Sequence, residues 1–288
     1  MSSRHGDDAP GLSVVVCTWN RAGVLAGCLD SLLAQQADGV FEVVVIDDGS
    51  TDNTAEVVSD RSARENSTLR YVRQENSGVN AARNRGIEEA HGRVVVFVDD
   101  DELAPPGYLD RLAARLRASA EFAGVGGPCY DDGSGLPTCA RCSLSAADVP
   151  GEGVREVRRL LGGNMAIRAS VFETVGFFDA TLSGRGDDDE WFFRVRGHGM
   201  RFLQDPALWV WHRREHHTLV SLCRNAFRQG LTIPRSTQLQ QRKYRPALGR
   251  MFRAMGHALR HRCAKGLWVA ARDFGAAVGS LRAISSRP

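Results

Sequence analysis

Arg93-Val-Val-Val-Phe-Val-Asp-Asp-Asp-Glu102 decides the fold. Its five apolar residues in a row, four of them β-branched, suit a short strand buried on both faces, as in a parallel sheet. Four carboxylates follow with no spacer. Toward the N-terminus the arrangement recurs. Leu12–Thr18 and Phe41–Asp47 are buried-strand runs, and they end in Thr18-Trp-Asn-Arg21 and Asp47-Asp-Gly-Ser-Thr-Asp52. Leu69–Val72 is a shorter strand. Helical periods separate these runs. Leu25, Leu29, Leu32 and Leu33 share one face, residues 54–65 follow Asp52 as a cap, and 79–90 is Ala-rich. Beyond the acids, Pro105-Pro106 opens a helix with Leu109, Leu112 and Leu116 on one side. Strand–helix alternation of this kind predicts a Rossmann-like, mostly parallel sheet with helices on both faces. In open α/β sheets the ligand lies beyond the carboxyl ends of the strands. Turns of Asp, Gly and Ser end strands in general, but three polar clusters at three strand ends, two of them acid-rich, point to a site.

Downstream, Gly127 to Gly163 is rich in Gly, Pro, Ser and Asp and reads as a mobile loop. Leu160–Ala166, Arg201–Leu203 and Ala207–Trp211, the last ending at His212, read as strands. Asp187–Gly197 and Leu219–Gln229 read as helices. The 288 residues are 43% apolar and 25% charged, which excludes a disordered chain. The net charge of +3 hides an asymmetry: residues 240–288 hold 11 Lys/Arg and one acid, a net of +10, which leaves −7 for the first 239. Neither a secretory signal nor a membrane span is legible. The seven cysteines, mostly at apolar positions, suit a reducing, cytoplasmic setting. Cys139-x-x-Cys142, with Cys129 upstream, has no second C-x-x-C to complete a zinc site, so incidental thiols in a loop are the plainer reading.

Asp99, Asp100 and Asp101 repel one another unless solvated or neutralised by a cation. In an extended backbone Asp99 and Asp101 point the same way. One could then hold a divalent ion while the other holds a ribose or a metal-bound water. Mg²⁺ and Mn²⁺ take one or two carboxylates and keep positions for substrate phosphates. A solvated acidic turn is the alternative.

The ordered set of motifs resembles glycosyltransferase family 2, which has the GT-A fold. The matching pieces are Val14-Val-Val-Cys-Thr-Trp-Asn-Arg21, Val43-Val-Val-Ile-Asp-Asp-Gly-Ser-Thr-Asp52, Asn76-Ser-Gly78 with Ala82-Arg-Asn84 and Gly86, and Val96-Phe-Val-Asp-Asp-Asp101. Gly163-Asn-Met-Ala166, Gly176-Phe-Phe-Asp179, Gly186-Asp-Asp-Asp-Glu-Trp191 with Arg194, and Pro206 leading to His212 complete it. The resemblance covers about residues 12–230. It implies a GT-A domain over 12–235, with a nucleotide-sugar half at 12–125 and an acceptor half at 126–235. A disordered N-terminus at 1–11 and a basic helical extension at 236–288 would flank it.

The resemblance also implies roles. Thr18 and Asp48 would border the nucleotide base and Asp47 would support that loop, with Trp19, Asn20 and Arg21 beside the donor. Trp19 stands where Tyr is common, and either stacks near the donor or packs. Arg83 would face the diphosphate, Asp99 and Asp100 would lie by the donor, and Asp101 and His212 would be the metal ligands. Asp188 would be the catalytic base, with Asn164, Asp187, Asp189, Glu190 and Trp191 on the acceptor side. The neighbours of Asp188 remain alternatives for the base, as helix-start acids do for all of them. His216 and His217 remain alternatives to His212.

The chemistry follows from the residue types. An acceptor hydroxyl is a poor nucleophile until a base takes its proton. The departing nucleoside diphosphate gains negative charge that Mg²⁺ or Mn²⁺ and Arg83 would stabilise. One base opposite the leaving group implies inversion. Processive synthases of the family carry Gln-x-x-Arg-Trp; here Gln240 is followed by Lys243 and Tyr244 in those places, so a single transfer is expected. The partners implied are a nucleoside-diphosphate sugar and a hydroxyl acceptor. The basic tail would either lie on an anionic membrane surface or pack on the acidic body; no nucleic-acid module is recognisable. A nucleotidyltransferase and an inactive binding module are the rival functions. The first usually opens with a Gly-rich loop that is absent here, and the second is at odds with intact acids at Asp99, Asp101 and Asp188.

Overall fold

The computed structural model describes residues 11–36, 41–64, 67–131, 153–182, 188–213 and 248–261, together with 223, 227, 269–272 and 274. The N-terminal ten residues, Cys139 and Cys142, Asp187, His216, His217 and most of the segments read as helix 219–229 and basic tail lie outside the described residues.

Strands β1 (Leu12–Thr18), β2 (Phe41–Asp47), β3 (Leu69–Arg73) and β4 (Val94–Val98) alternate with helices α1 (Ala22–Leu33), α2 (Thr54–Ser62) and α3 (Val79–Glu89). The four strands lie in the order β3-β2-β1-β4 and pair in parallel. Every apolar side chain of β1, β2 and β4 has a partner because both faces are covered. Val14, Val16, Val43, Val45 and Val96 pack toward α1 and α4 (Tyr108–Ala118). Val15, Val44, Ile46, Val95 and Phe97 pack on the other face, toward α3 and the aromatic side chains of α5 (Ala169–Val175) and α6 (Asp189–Gly197).

Gly86 shows how close α3 lies. A Cβ there would overlap Val15 Cγ1 and stand 3.2 Å from Cγ2. Val15 is buried and β-branched, so it has little freedom to give way. Gly86→Ala is expected to lower stability by about 1–3 kcal/mol through overpacking. Helix propensity alone would raise it, so the direction of the shift in a thermal melt decides between the two effects.

Past β4 the sheet continues through β9 (Asn164–Arg168), β6 (Gly124–Gly126), β10 (Phe202–Gln204) and β8 (Arg155–Val157) in that order, eight strands in all. β9 runs antiparallel to both β4 and β6, so this half is mixed rather than parallel. A second sheet of order β5-β11-β7 joins β5 (Glu102–Leu103), β11 (Val210–His212) and β7 (Cys129–Asp131).

The strand expected over 160–166 begins only at Asn164. Gly162 and Gly163 break the extended run, and Asn164 N–H turns back to Leu161 O at 3.0 Å. The strand expected over 207–211 is likewise β11 alone, because Asp205 holds Ala207 and Leu208 in a turn. β5, β6, β7, β8 and α5 were not expected from the sequence. The helix after Pro105-Pro106 starts at Tyr108, behind Gly107 at φ +71°.

Among the described residues no helix is long and apolar enough to cross a membrane. In the tail, α7 (Leu248–His261) exposes Phe252, Met255 and Leu259 along one stripe.

Candidate active site

The parallel strands end level with one another, which assembles the site. Thr18 pairs with Asp47 across β1 and β2. β1 and β4 pair Val15 with Phe97, and three residues further on Thr18 Oγ1 donates to Asp100 Oδ2 at 2.7 Å.

The loop after β2 is organised around its two aspartates. Asp47 is fully buried and accepts from Ser50 N–H at 2.7 Å and from the Tyr71 hydroxyl. Asp48 accepts from Ser77 N–H at 2.9 Å, Gly78 N–H at 2.8 Å and Gln74 Nε2 at 2.7 Å. Those three bonds use most of the lone pairs a carboxylate offers and fasten the Asn76-Ser-Gly78 segment to β2. Asn20 takes the left-handed backbone, φ 53°, and its side-chain oxygen accepts from Thr51 N–H at 2.6 Å, which ties the β1 loop to the β2 loop. Trp19 is 53% exposed beside them.

The acidic turn departs from the extended geometry expected. After Val98 the chain bends, with Glu102 N–H donating to Asp99 O at 3.0 Å. Asp100 is buried between Thr18 and Arg21, whose Nη1 lies 2.6 Å from its Oδ1. Asp101 Oδ2 takes Arg21 Nη2 at 2.6 Å and lies 3.2 Å from His212 Nε2. Arg21, entering from the end of β1, thus bridges Asp100 and Asp101. His212 is held opposite by the second sheet, in register with Glu102.

Burial pushes the Asp100 carboxyl up to about 7, against the opposing pull of Arg21 and Thr18. Burial also works to raise Asp101, but hydrogen bonds and charge from His212 and Arg21 outweigh it and hold it at about 2. Glu102, buried beside Asp99 and Asp101, is pushed well up, by burial first and then by its acidic neighbours.

Gly162 and Gly163 form the floor on which the remaining groups converge. A Cβ at Gly162 would stand 2.9 Å from Arg83 Nη2 and 3.2 Å from Asp188 Oδ2. One at Gly163 would collide with Asp99 Oδ2 and stand 2.8 Å from Glu102 Oε1. The antiparallel pairing of Val98 with Asn164 brings this floor under the acidic turn. Asp99 stays accessible to solvent, yet the protein enclosing it raises its affinity for a proton, with Arg83 opposing.

Arg83 is placed by α3, which is clamped to the 176–179 turn. Asn84 exchanges two 2.9 Å hydrogen bonds with the backbone of Phe178, Asn80 donates to Asp179 O at 3.0 Å, and Arg83 Nη1 donates to Asn80 Oδ1 at 3.1 Å. α6 grips the same turn through Trp191 Nε1 to Gly176 O at 2.8 Å and Arg194 Nη1 to Val175 O at 2.6 Å.

The acids at the start of α6 separate by their partners. Asp189 pairs with Arg159 at 2.8 Å and Glu190 with Arg194 at 2.7 Å. Asp188 makes no side-chain cap to its helix and points to the floor instead. Burial raises its pKa by more than Arg83 and Arg159 lower it. Trp191 is fully buried among Phe172, Phe178, Phe192 and Phe202. Asn164 is fully buried among Tyr108 Oη, Pro128 O and Leu208 O. Both are framework, with no surface to offer an acceptor.

Arg83, Asp99, Asp101, Asp188 and His212 are thus gathered at one cleft, while Asp47, Asp48 and Asn20 build its rim. The sequence reading missed Glu102, Tyr71 and the Gly162 floor. The paired glycines closing an apolar run were the available signal for the last.

Asp101 Oδ2 and His212 Nε2 fit a divalent cation. Neighbouring ligands of an octahedral ion at about 2.0–2.2 Å stand roughly 3 Å apart, close to the 3.2 Å here. Among the described residues no group of three or more His, Cys, Asp or Glu forms a metal cage. Two protein ligands with the remainder left to phosphate and water is the usual habit of Mg²⁺.

A family model described as Glycosyl transferase family 2 matches residues 13–179. Validoxylamine A glucosyltransferase of Streptomyces hygroscopicus subsp. jinggangensis is 34% identical over 248 residues, covering 74% of this chain and 58% of its own. The chain therefore spans little more than half the length of that relative. Two solved structures share the GT-A fold. The mannosyltransferase PcManGT from Pyrobaculum calidifontis, in complex with GDP-Man and Mn²⁺, superposes with a TM-score of 0.63 at 19% identity, over 97% of this chain and 89% of that one. GalNAc-T7 with UDP, GalNAc and Mn²⁺ gives 0.58 at 18% identity, over 72% and 44%.

Proposed function

Because the chain belongs to glycosyl transferase family 2 and is a glycosyltransferase, we propose that it moves one sugar from a nucleoside-diphosphate sugar to a hydroxyl acceptor, with inversion, using a divalent cation. The observation that carries this reading is the convergence of Asp188 and Arg83 on Gly162 beside the Asp101–His212 pair. On this reading a base, a phosphate-facing cation and a metal-ligand pair would share one cleft. The structures of two GT-A relatives with nucleotide and Mn²⁺ support the same reading.

Asp188 would accept the proton of the acceptor hydroxyl. Its burial raises its pKa and makes it a stronger base than an exposed aspartate, with Arg83 opposing the shift. Arg83 would also face the diphosphate as charge develops on it. Asp101 and His212 would hold Mg²⁺ or Mn²⁺. The ion, when bound, would neutralise charge on the departing diphosphate. Thr18 and Asp48 would flank the base, at a rim fixed by Asp47 and Asn20, and Asp99 and Asp100 would line the donor side.

A thermal-shift panel of UDP, GDP, dTDP and CMP, each with and without Mn²⁺, tests the proposal. One nucleoside diphosphate is expected to stabilise the protein only with metal. Absence of any shift under every condition would overturn the donor reading.

A further inference from the structure

Arg21 meets both carboxylates of the metal-side pair. Nη1 lies 2.6 Å from Asp100 Oδ1 and Nη2 lies 2.6 Å from Asp101 Oδ2, the oxygen that is also 3.2 Å from His212 Nε2. The two carboxylate side chains are 4% and 10% exposed, whereas the Arg21 side chain is 30% exposed. Contacts this short between ionised groups are the strong class of hydrogen bond. The backbone of Arg21 is fixed independently, since its carbonyl accepts the first two helical bonds of α1, from Val24 and Leu25 at 3.1 Å each. The side chain can therefore leave without disturbing the helix.

An ion held by Asp101 and His212 would draw on the oxygen that Arg21 Nη2 now engages, and two cations side by side repel. The displaced fork is matched to one other partner, since guanidinium geometry suits phosphate as well as carboxylate. We propose that Arg21 is the internal counter-cation of the metal site: the divalent ion displaces it from Asp101, the donor's diphosphate takes it up, and metal and donor binding thereby promote one another. The inference rests on the nucleotide-sugar reading above and adds to it a residue that couples the two ligands.

Binding of Mn²⁺ to the full chain, followed by calorimetry or by the EPR signal of free Mn²⁺, tests this with and without saturating UDP or GDP. In the wild type, nucleotide is expected to tighten Mn²⁺ binding by about 5–150-fold, the usual span of coupling between two sites. Arg21→Gln is expected to bind Mn²⁺ alone about tenfold more tightly, with the nucleotide's effect reduced by a similar factor. Arg21→Lys keeps the charge but not the fork and is expected to lose most of the coupling. A long-range charge effect would tighten Mn²⁺ binding equally with and without nucleotide; unchanged coupling in both variants would overturn the assignment of Arg21 alone. Absence of Mn²⁺ binding to any of the proteins, with either nucleotide, would overturn this inference and the metal-dependent reading together.

Discussion

Asp188→Asn is expected to reduce sugar transfer by roughly 10²–10⁴-fold, the range for loss of a general base, while leaving metal-dependent stabilisation by nucleotide in place. The expectation comes from comparing three consecutive acids on one helix start. Asp189 and Glu190 are each paired to an arginine, Arg159 and Arg194. Asp188 is the one turned to the glycine floor, beside Arg83 and without a cap to make. Asparagine keeps the shape but cannot take a proton. The measurement is release of nucleoside diphosphate, with acceptor present, from the donor whose nucleotide stabilises the protein. Asp189→Asn, at a half-exposed ion pair, is the control and should stay within a few-fold of wild type. The wild-type pH profile adds a second readout. A base works deprotonated, and burial raises the Asp188 pKa, so the acid limb should lie above the ordinary aspartate value of about 3.9. Asp188→Asn retaining more than about a tenth of wild-type turnover would move the base elsewhere.

Asp101→Asn is expected to abolish the metal-dependent part of nucleotide binding. Asp101 is the carboxylate nearest His212, and asparagine offers a neutral oxygen in place of a charged one. At a nucleotide concentration about 100 times its dissociation constant, the wild type gains about 2.7 kcal/mol of stability. For a chain of this size that is on the order of 5 °C in melting temperature. The variant should show no Mn²⁺-dependent shift. An undiminished Mn²⁺-dependent shift would remove Asp101 from the metal site, whatever the activity. The variant must first be shown to melt cooperatively, because the change also weakens the Arg21–Asp101 ion pair.

What was legible in the chain follows from where its information is local. β1, β2 and β4 are dense runs of valine, and their ends fall where the apolar runs stop. The polar clusters at those ends meet in the candidate cleft for the same reason. The second half was harder because most of its strands are only three residues long and borrow their stability from partners far away in sequence. Gly124–Gly126, for example, is a strand only because β9 and β10 flank it. The bend at the acidic cluster was not legible for a related reason. Nothing local to Asp99-Asp100-Asp101 signals that an arginine 79 residues upstream supplies the partner for Asp100. Trp191 and Asn164 belong to the same class, motif residues whose bonds to Gly176, Tyr108, Pro128 and Leu208 make them framework.

The antiparallel ladder between β4 and β9 also constrains motion. Many two-part nucleotide enzymes clamp their substrates by swinging one lobe against another about a hinge. Here the four N-terminal parallel strands and the strands that follow share one unbroken sheet, and five residue pairs, from Val94↔Arg168 to Val98↔Asn164, join them across the middle. Swinging one half would tear that ladder and expose the valines beneath it. Opening and closing over a substrate therefore falls to the loops at the strand ends, and hydrogen exchange should find the amides of β4 and β9 among the slowest in the molecule at every stage of turnover.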